Sequence, residues 1–257
     1  RPLIEEFAKG GYDGSSLAAV ASSAAIFSKP IKERWMKAFP AAFFTDSVGA
    51  SETGFQGTGL QDASALSSDG PVISPGVGTV VLDDDNEIID MSRVGEIGRL
   101  ARSGNVPLGY YGDEEKSRQT FIDLGGVRFS VPGDFARIEP DNKITLLGRG
   151  SNCINTGGEK VFPEEVENAL KGHPDVFDAL VIGTPDERFG SRVTAVIQPR
   201  EGVQPEIEAV QNYLREHLSG YKIPRSVVLV EEIPRHVTGK ANYPEAKRIA
   251  TSALDIV

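Results

Sequence analysis

The sequence predicts an α/β and α+β protein in two parts. Residues 1–147 end in a β-rich subdomain over about 72–147, and residues 148–257 form a small α+β domain. Three observations carry this. Short apolar runs between turn residues fill the stretch from Val72 to Leu147, among them GTVVLDDDNEIIDMSRVGEIGRLA, Val127–Val131 and Lys143–Leu147. Gly148-Arg149-Gly150-Ser151-Asn152 then supplies two glycines and an asparagine, which tolerate positive φ and let a chain change direction. Beyond this joint, helical and extended patterns alternate.

In chain order, residues 15–45 read as helix and then strand. Ile31, Trp35 and Met36 recur at helical spacing, and Phe43-Phe44 is an apolar pair. Asp83-Asp84-Asp85-Asn86 reads as a turn between strands. Phe162–Lys171 reads as a helix. Pro163 suits its first turn, Glu164 and Glu165 suit the positive end of the dipole, and Val166, Ala169 and Leu170 share an apolar face that Gly172 can end. Val176–Ile182 and Arg192–Pro199 read as strands. Glu206–Leu218 reads as a helix, with Ile207, Val210, Leu214 and Leu218 on one side. Val227–Val230 is a strand and Tyr243–Ala250 a short final helix.

The 257 residues are 39 % apolar and 25 % charged, which are globular proportions. The longest small and apolar run, Leu17–Phe27, is broken by Ser22 and Ser23 and is too short to cross a bilayer, which leaves peripheral membrane contact open. The chain starts at Arg1 with no signal-peptide pattern, so it reads as a fragment or a trimmed chain. A single cysteine, Cys153, excludes an internal disulfide and fits a cytoplasmic location. A net charge of −10 argues against a nucleic-acid partner, whose phosphates attract a basic face. A small phosphorylated ligand needs only local donors. His173, His217 and His236 have no metal-ligand spacing to one another or to the cysteine.

Several loops resemble motifs without matching them. SVGASETGFQGTG, Ser47–Gly59, reads as a loop or turn. It fails as a hydrolase nucleophile elbow because Gly49-Ala50-Ser51-Glu52 is followed by Thr53 where the tight turn requires Gly. Thr238-Gly239-Lys240 fails as a Walker loop at both ends, with Pro234 and Ala241. Gly76-Val77-Gly78 lacks the third glycine of a dinucleotide fingerprint. Taken singly, Glu52 and Lys240 are solvated side chains and Asp134, after Pro132-Gly133, is a turn residue.

Taken together and in order, six stretches resemble the adenylate-forming superfamily of acyl-CoA synthetases, firefly luciferase and peptide-synthetase adenylation domains. They are DSVGASETG (Asp46–Gly54), GEIGRLARSGNVPLGYY (Gly95–Tyr111), Pro132-Gly133-Asp134, GRGSNCINTGGEKVFPEEVE (Gly148–Glu167), VIGTPDERFG (Val181–Gly190) and PRHVTGK (Pro234–Lys240). SSAAIFSKPI, Ser22–Ile31, is similar to a further family segment, with Ser23 and Ala24 in place of its glycines. The resemblance implies that residues 1–147 are the end of a large AMP-binding domain and residues 148–257 a small mobile lid, turning at a hinge at Ser151. The family's Ser/Thr/Gly-rich phosphate loop does not occur in these residues. A C-terminal portion without it is expected not to turn over alone.

The implied activity is an acyl-CoA synthetase, or fatty-acid–CoA ligase. A carboxylate attacks the α-phosphate of ATP, giving an acyl-adenylate and pyrophosphate, and the thiol of CoA then takes the acyl group. The resemblance gives Lys240 the attacking carboxylate and the α-phosphate, Glu52 the Mg2+, and Ser51 a bond to the α-phosphate. Asp134 and Arg149 would take the ribose and phosphate, Asp46 the adenine amino group, and Val48 and Gly49 the adenine face. Gly157 and Gly158 would line the pantetheine path, and Ala25 and Gly54 the acyl pocket. Val48 stands where many members place an aromatic ring, Ser151 where they place Asp or Lys, and Pro132 where they place Thr. Small residues in the acyl pocket favour a medium, long or bulky apolar acid over acetate. Two other readings stay open: an amino-acid or aryl-acid adenylation enzyme feeding a carrier protein, and a non-catalytic nucleotide-binding module.

Overall fold

Alternating burial along short strands builds the first half of the chain around one sheet. The computed structural model describes residues 2–23, 27–61 and 70–255. Ala25 lies outside them. The chain divides into two units, Arg1–Leu147 and Gly148–Val257.

Unit 1 opens with helix α1 (Pro2–Ala8), strand β1 (Ala19–Ser22) and helix α2 (Lys29–Ala38). Strands β2 (Phe43–Ala50), β3 (Gly54–Gln61), β4 (Val72–Pro75), β5 (Thr79–Leu82) and β6 (Ile97–Ser103) follow. Helix α3 (Glu114–Thr120) precedes β7 (Phe121–Leu124), β8 (Val127–Ser130), β9 (Asp134–Glu139) and β10 (Lys143–Arg149). The sheet runs β1-β2-β3-β4-β10-β9-β6-β8-β7, with β5 paired to β6. In this sheet β1 lies parallel to its neighbour β2, and the β2–β3, β3–β4 and β4–β10 pairs are antiparallel. Ile73, Val81, Ile89, Leu100, Ala136, Ile138 and Ile144 make the buried cluster on which Val48 packs.

The β-rich reading of 72–147 is borne out, and the acidic turn is as expected. Asn86 has φ +66°, and Asp83 Oδ1 accepts from the Asp85 and Glu87 amides, both at 2.9 Å. Two expectations need correction. The span 15–45 holds a strand, β1, ahead of its helix, because Ala19–Ser22 pairs with Phe43–Asp46 and a distant partner leaves no local period. SVGASETGFQGTG is a β-hairpin rather than a loop, and only Ser51–Thr53 turn. Its glycines serve close strand approach. A Cβ on Gly49 would lie 2.5 Å from the Gly54 carbonyl oxygen, and one on Gly59 would lie 2.1 Å from that of Val72.

Unit 2 begins with a 3₁₀ turn at Gly150–Asn152 and a small hairpin, β11 (Ile154–Thr156) and β12 (Glu159–Val161). Helix α4 (Pro163–Leu170), strands β13 (Val176–Asp186) and β14 (Gly190–Pro199), helix α5 (Ile207–Arg215), strand β15 (Ser226–Leu229) and helix α6 (Tyr243–Ala253) complete it. The sheet β13-β14-β15 is covered on both faces. Ala179, Val181, Val193, Ala195 and Ile197 face Val166 and Leu170 of α4 and Val210 and Leu214 of α5. Leu180, Ile182, Val196 and Val228 face Ala246 and Ala250 of α6. Burial on both faces is why these strands read as continuous apolar runs. Inside this sheet the buried hydroxyls of Thr184 and Thr194 satisfy each other at 2.7 Å.

Candidate functional site

In unit 1 the β2–β3 hairpin carries most of the candidate residues. Glu52 sits half-buried in the turn, with Ser51 and Gly54 exposed on either side. The turn is held from three directions. Thr53, fully buried, accepts the Ala50 amide at 3.0 Å through its hydroxyl and donates to the Gly54 carbonyl at 2.9 Å. Arg102 Nη1 donates to the Thr53 carbonyl at 2.5 Å. Tyr110 Oη donates to Glu52 Oε1 at 2.7 Å, which orients the carboxylate. Tyr110 is itself placed by Ser117, whose Oγ accepts its amide at 2.7 Å, and by the Phe121 ring 5.7 Å away.

Two residues on β2 have partners inside unit 1. Asp46 is only 4 % exposed, and its carboxylate is paired with the Lys32 ammonium of α2. The Lys32 ion pair engages one oxygen of the carboxylate expected to meet an adenine amino group. Burial pushes the Asp46 carboxyl up, and the Lys32 bond and charge pull it partly back. Val48 packs on the Ile73 cluster, so it answers an internal surface. Gly49 lies at the register shift between Val48 and Gly49, where the turn backbone approaches too closely for a side chain. Asp134 starts β9, half-buried, after Gly133 at φ +99°.

In unit 2, Arg149 is exposed at the end of β10, and Ser151 lies in the following 3₁₀ turn. Gly148 is roofed by Glu164, whose carboxylate oxygen would lie 2.2 Å from a Cβ there. Gly157 and Gly158, at φ +61° and +89°, make the exposed turn between β11 and β12. A Cβ on Gly157 would lie 2.9 Å from the Phe189 ring, so that turn needs glycine for space as well as for φ.

Lys240 closes a tight, exposed turn. The His236 amide donates to its carbonyl at 2.9 Å, the Gly239 amide donates to the His236 carbonyl at 2.7 Å, and Gly239 has φ +80°. Below it lies a row of charges. Glu167 of α4 is buried and accepts the Val181 amide at 3.0 Å. Lys171 Nζ is 3.8 Å from Glu167 and 3.4 Å from Asp178, and Asp178 binds Arg235 at 2.5 Å. Burial pushes Glu167 up against the pull of Lys171. Asp178 is also desolvated, but Lys171 and Arg235 outweigh that and hold it low.

Sequence reasoning missed Lys32, Arg102, Tyr110 and Arg235 as partners of the candidate residues. The last three lay inside family-like stretches, which was the available signal; Lys32 had none. Among the described residues no three His, Cys, Asp or Glu side chains gather as a metal site. A lone carboxylate such as Glu52 suits a Mg2+ carried largely by nucleotide phosphates.

Comparison with known proteins bears out the resemblance to the adenylate-forming superfamily. Residues 165–240 match the family AMP-binding enzyme C-terminal domain. The chain is 49 % identical over 253 residues to the 3-oxocholest-4-en-26-oate–CoA ligase of Rhodococcus rhodochrous, covering 96 % of this chain and 45 % of that protein. It is 49 % identical over 255 residues to the medium/long-chain-fatty-acid–CoA/3-oxocholest-4-en-26-oate–CoA ligase of Mycolicibacterium smegmatis, covering 97 % and 46 %. The anthranilate CoA ligase AuaEII shares the fold with a TM-score of 0.80 at 26 % identity, over 95 % of this chain and 47 % of that one. The chain thus spans about half the length of the curated relatives it matches.

Proposed function

We propose that this chain, whose second unit carries an AMP-binding enzyme C-terminal domain, forms part of an ATP-dependent acyl-CoA synthetase acting on a medium- to long-chain or bulky apolar acid. One observation carries the reading. The chain is half identical, over nearly its whole length, to ligases named for fatty and steroid acids. Its geometry is consistent with the chemistry. Phosphoryl and adenylyl transfer depend on positioning and on neutralising developing charge. Glu52, oriented by Tyr110 at the turn of the β2–β3 hairpin, would hold the Mg2+ that accompanies the ATP phosphates. Lys240, exposed on its turn, would neutralise charge between the attacking carboxylate and the α-phosphate. Ser51, exposed beside Glu52, would donate to the same phosphate. Asp134 and Arg149 would take the ribose and phosphate, and the bare turn at Gly157-Gly158 would admit the pantetheine arm of CoA. Gly54 would leave room for the acyl group, and Ser151 would turn the small domain between half-reactions. The lone cysteine is compatible with a cytoplasmic enzyme.

The test is acyl-CoA formation by the chain extended through the upstream half its relatives possess. Acetate, octanoate, palmitate and 3-oxocholest-4-en-26-oate would be offered with ATP, Mg2+ and CoA. The reading expects thioester from the larger acids. It fails if acetate alone reacts, if a phosphopantetheinyl carrier replaces CoA as acceptor, or if ATP binds without adenylate forming.

A further inference from the structure

We propose that Arg235 is a positioning residue for Lys240, holding the peptide that precedes it in the geometry adenylation requires. This rests on reading Lys240 as the lysine of the adenylation step.

Arg235 makes two kinds of contact at once. Its Nε and Nη2 reach Asp178 Oδ2 at 3.2 and 2.5 Å. Its Nη1 donates to the carbonyl of Gly239 at 3.0 Å, the residue before Lys240. Asp178 is a firm anchor. It lies on β13, the longest strand of unit 2, and its other oxygen accepts the Ala179 amide at 2.9 Å and faces Lys171. Lys171 stands in turn between Asp178 and the buried Glu167. A line of alternating charge therefore runs from inside unit 2 to the backbone of an exposed turn.

The turn needs such a tie. Val237 is fully exposed and residues 235–240 all face solvent, so no apolar packing fixes it. Its own bonds close the ring from His236 to Lys240, and the Asn242 amide to the Pro234 carbonyl, 3.1 Å, ties its base. The bond from Arg235 links the Gly239–Lys240 peptide to the charged row. A guanidinium is suited to this because its rigid fork bridges two acceptors, which an ammonium on a flexible stem does poorly. The Arg235 side chain is 34 % exposed, and ion pairs of that kind add little to stability. Its value here is geometric. Misplacing a reacting group by about an ångström costs up to about a hundredfold in rate.

Two measurements test this. In the 257-residue chain, Arg235→Met should raise hydrogen exchange over 234–242 and leave the peptides of α4 and β14 unchanged. Unaltered exchange at 234–242 overturns the proposal without reference to activity. In the extended protein, Arg235→Met should lower acyl-adenylate formation about ten- to hundredfold in kcat with KM for ATP little moved. Transfer to CoA from supplied acyl-adenylate should stay within twofold, and Arg235→Lys should recover only part of the loss. Adenylation within twofold of the parent, or an equal fall in both half-reactions, overturns the proposal. Lys240→Met is the separate control: if it leaves adenylation intact, the reading of Lys240 fails whatever Arg235 does.

Discussion

Lys32→Met isolates the buried ion pair beneath the β2–β3 hairpin. The two side chains are 6 % and 5 % exposed, so water cannot replace the lost ammonium. An uncompensated buried carboxylate costs about 3–5 kcal/mol, a large share of the roughly 5–15 kcal/mol that stabilises a domain. With a urea slope of about 2 kcal/mol per molar, the midpoint of unit 1 should fall by about 2 M. Trp35, the only tryptophan, lies on the helix that bears Lys32, so its fluorescence follows the right transition. The pH dependence has a definite sign. Burial already raises the native pKa of Asp46, and removing Lys32 raises it further. Between the unfolded and native values the native state holds a proton that the unfolded state has lost. Stability therefore falls as pH rises through that window. The deficit of the variant should be small near or below the ordinary carboxylate value of about 4 and full above the raised native value. Lys32→Met/Asp46→Asn should recover most of the loss at neutral pH. A deficit that is flat with pH, or a double variant no more stable than the single one, would refute the reasoning.

Thr184→Val strands the buried hydroxyl of Thr194 and should cost about 1–3 kcal/mol, whereas Thr184→Val/Thr194→Val should be close to the parent; hydrogen exchange of β13 and β14 reads both. Tyr110→Phe removes a hydroxyl that orients Glu52. In the extended protein it should lower adenylation about tenfold and raise the Mg2+ concentration needed for half-maximal rate, and an unchanged Mg2+ requirement would exclude that role.

What could be read from the chain follows how far apart the interacting residues lie. Helix α4 was legible because Pro163, Glu164, Glu165 and Val166 carry start signal, dipole preference and apolar face within a few positions. Strands β13 and β14 were legible because a doubly covered sheet needs an unbroken apolar run. The β2–β3 hairpin was not, because its glycines look like loop residues. The need for Gly59 arises from the Val72 carbonyl on another strand. The same holds for the site. Glu52, Asp134 and Lys240 stand in stretches similar to a known family. Their partners depend on contacts that no spacing rule describes: Tyr110 reaches Glu52 across 58 positions, and Arg235 reaches Asp178 across 57. Asp46 shows the same limit. Its position in the motif suggested a ligand contact, and only the folded chain shows that α2 brings Lys32 to it.

The passage from β10 into unit 2 also bears on how the chain tolerates alteration. Ile144 and Leu147 are buried on β10, Gly148 is covered by Glu164, and by Ile154 the chain is again in a buried strand. No slack linker separates these anchored points. Between them Gly150–Asn152 forms a 3₁₀ turn, closed by the Cys153 amide on the Gly150 carbonyl at 3.1 Å, so the connection is itself hydrogen-bonded backbone. A glycine inserted there would break that turn, while the strands on either side would keep their own partners.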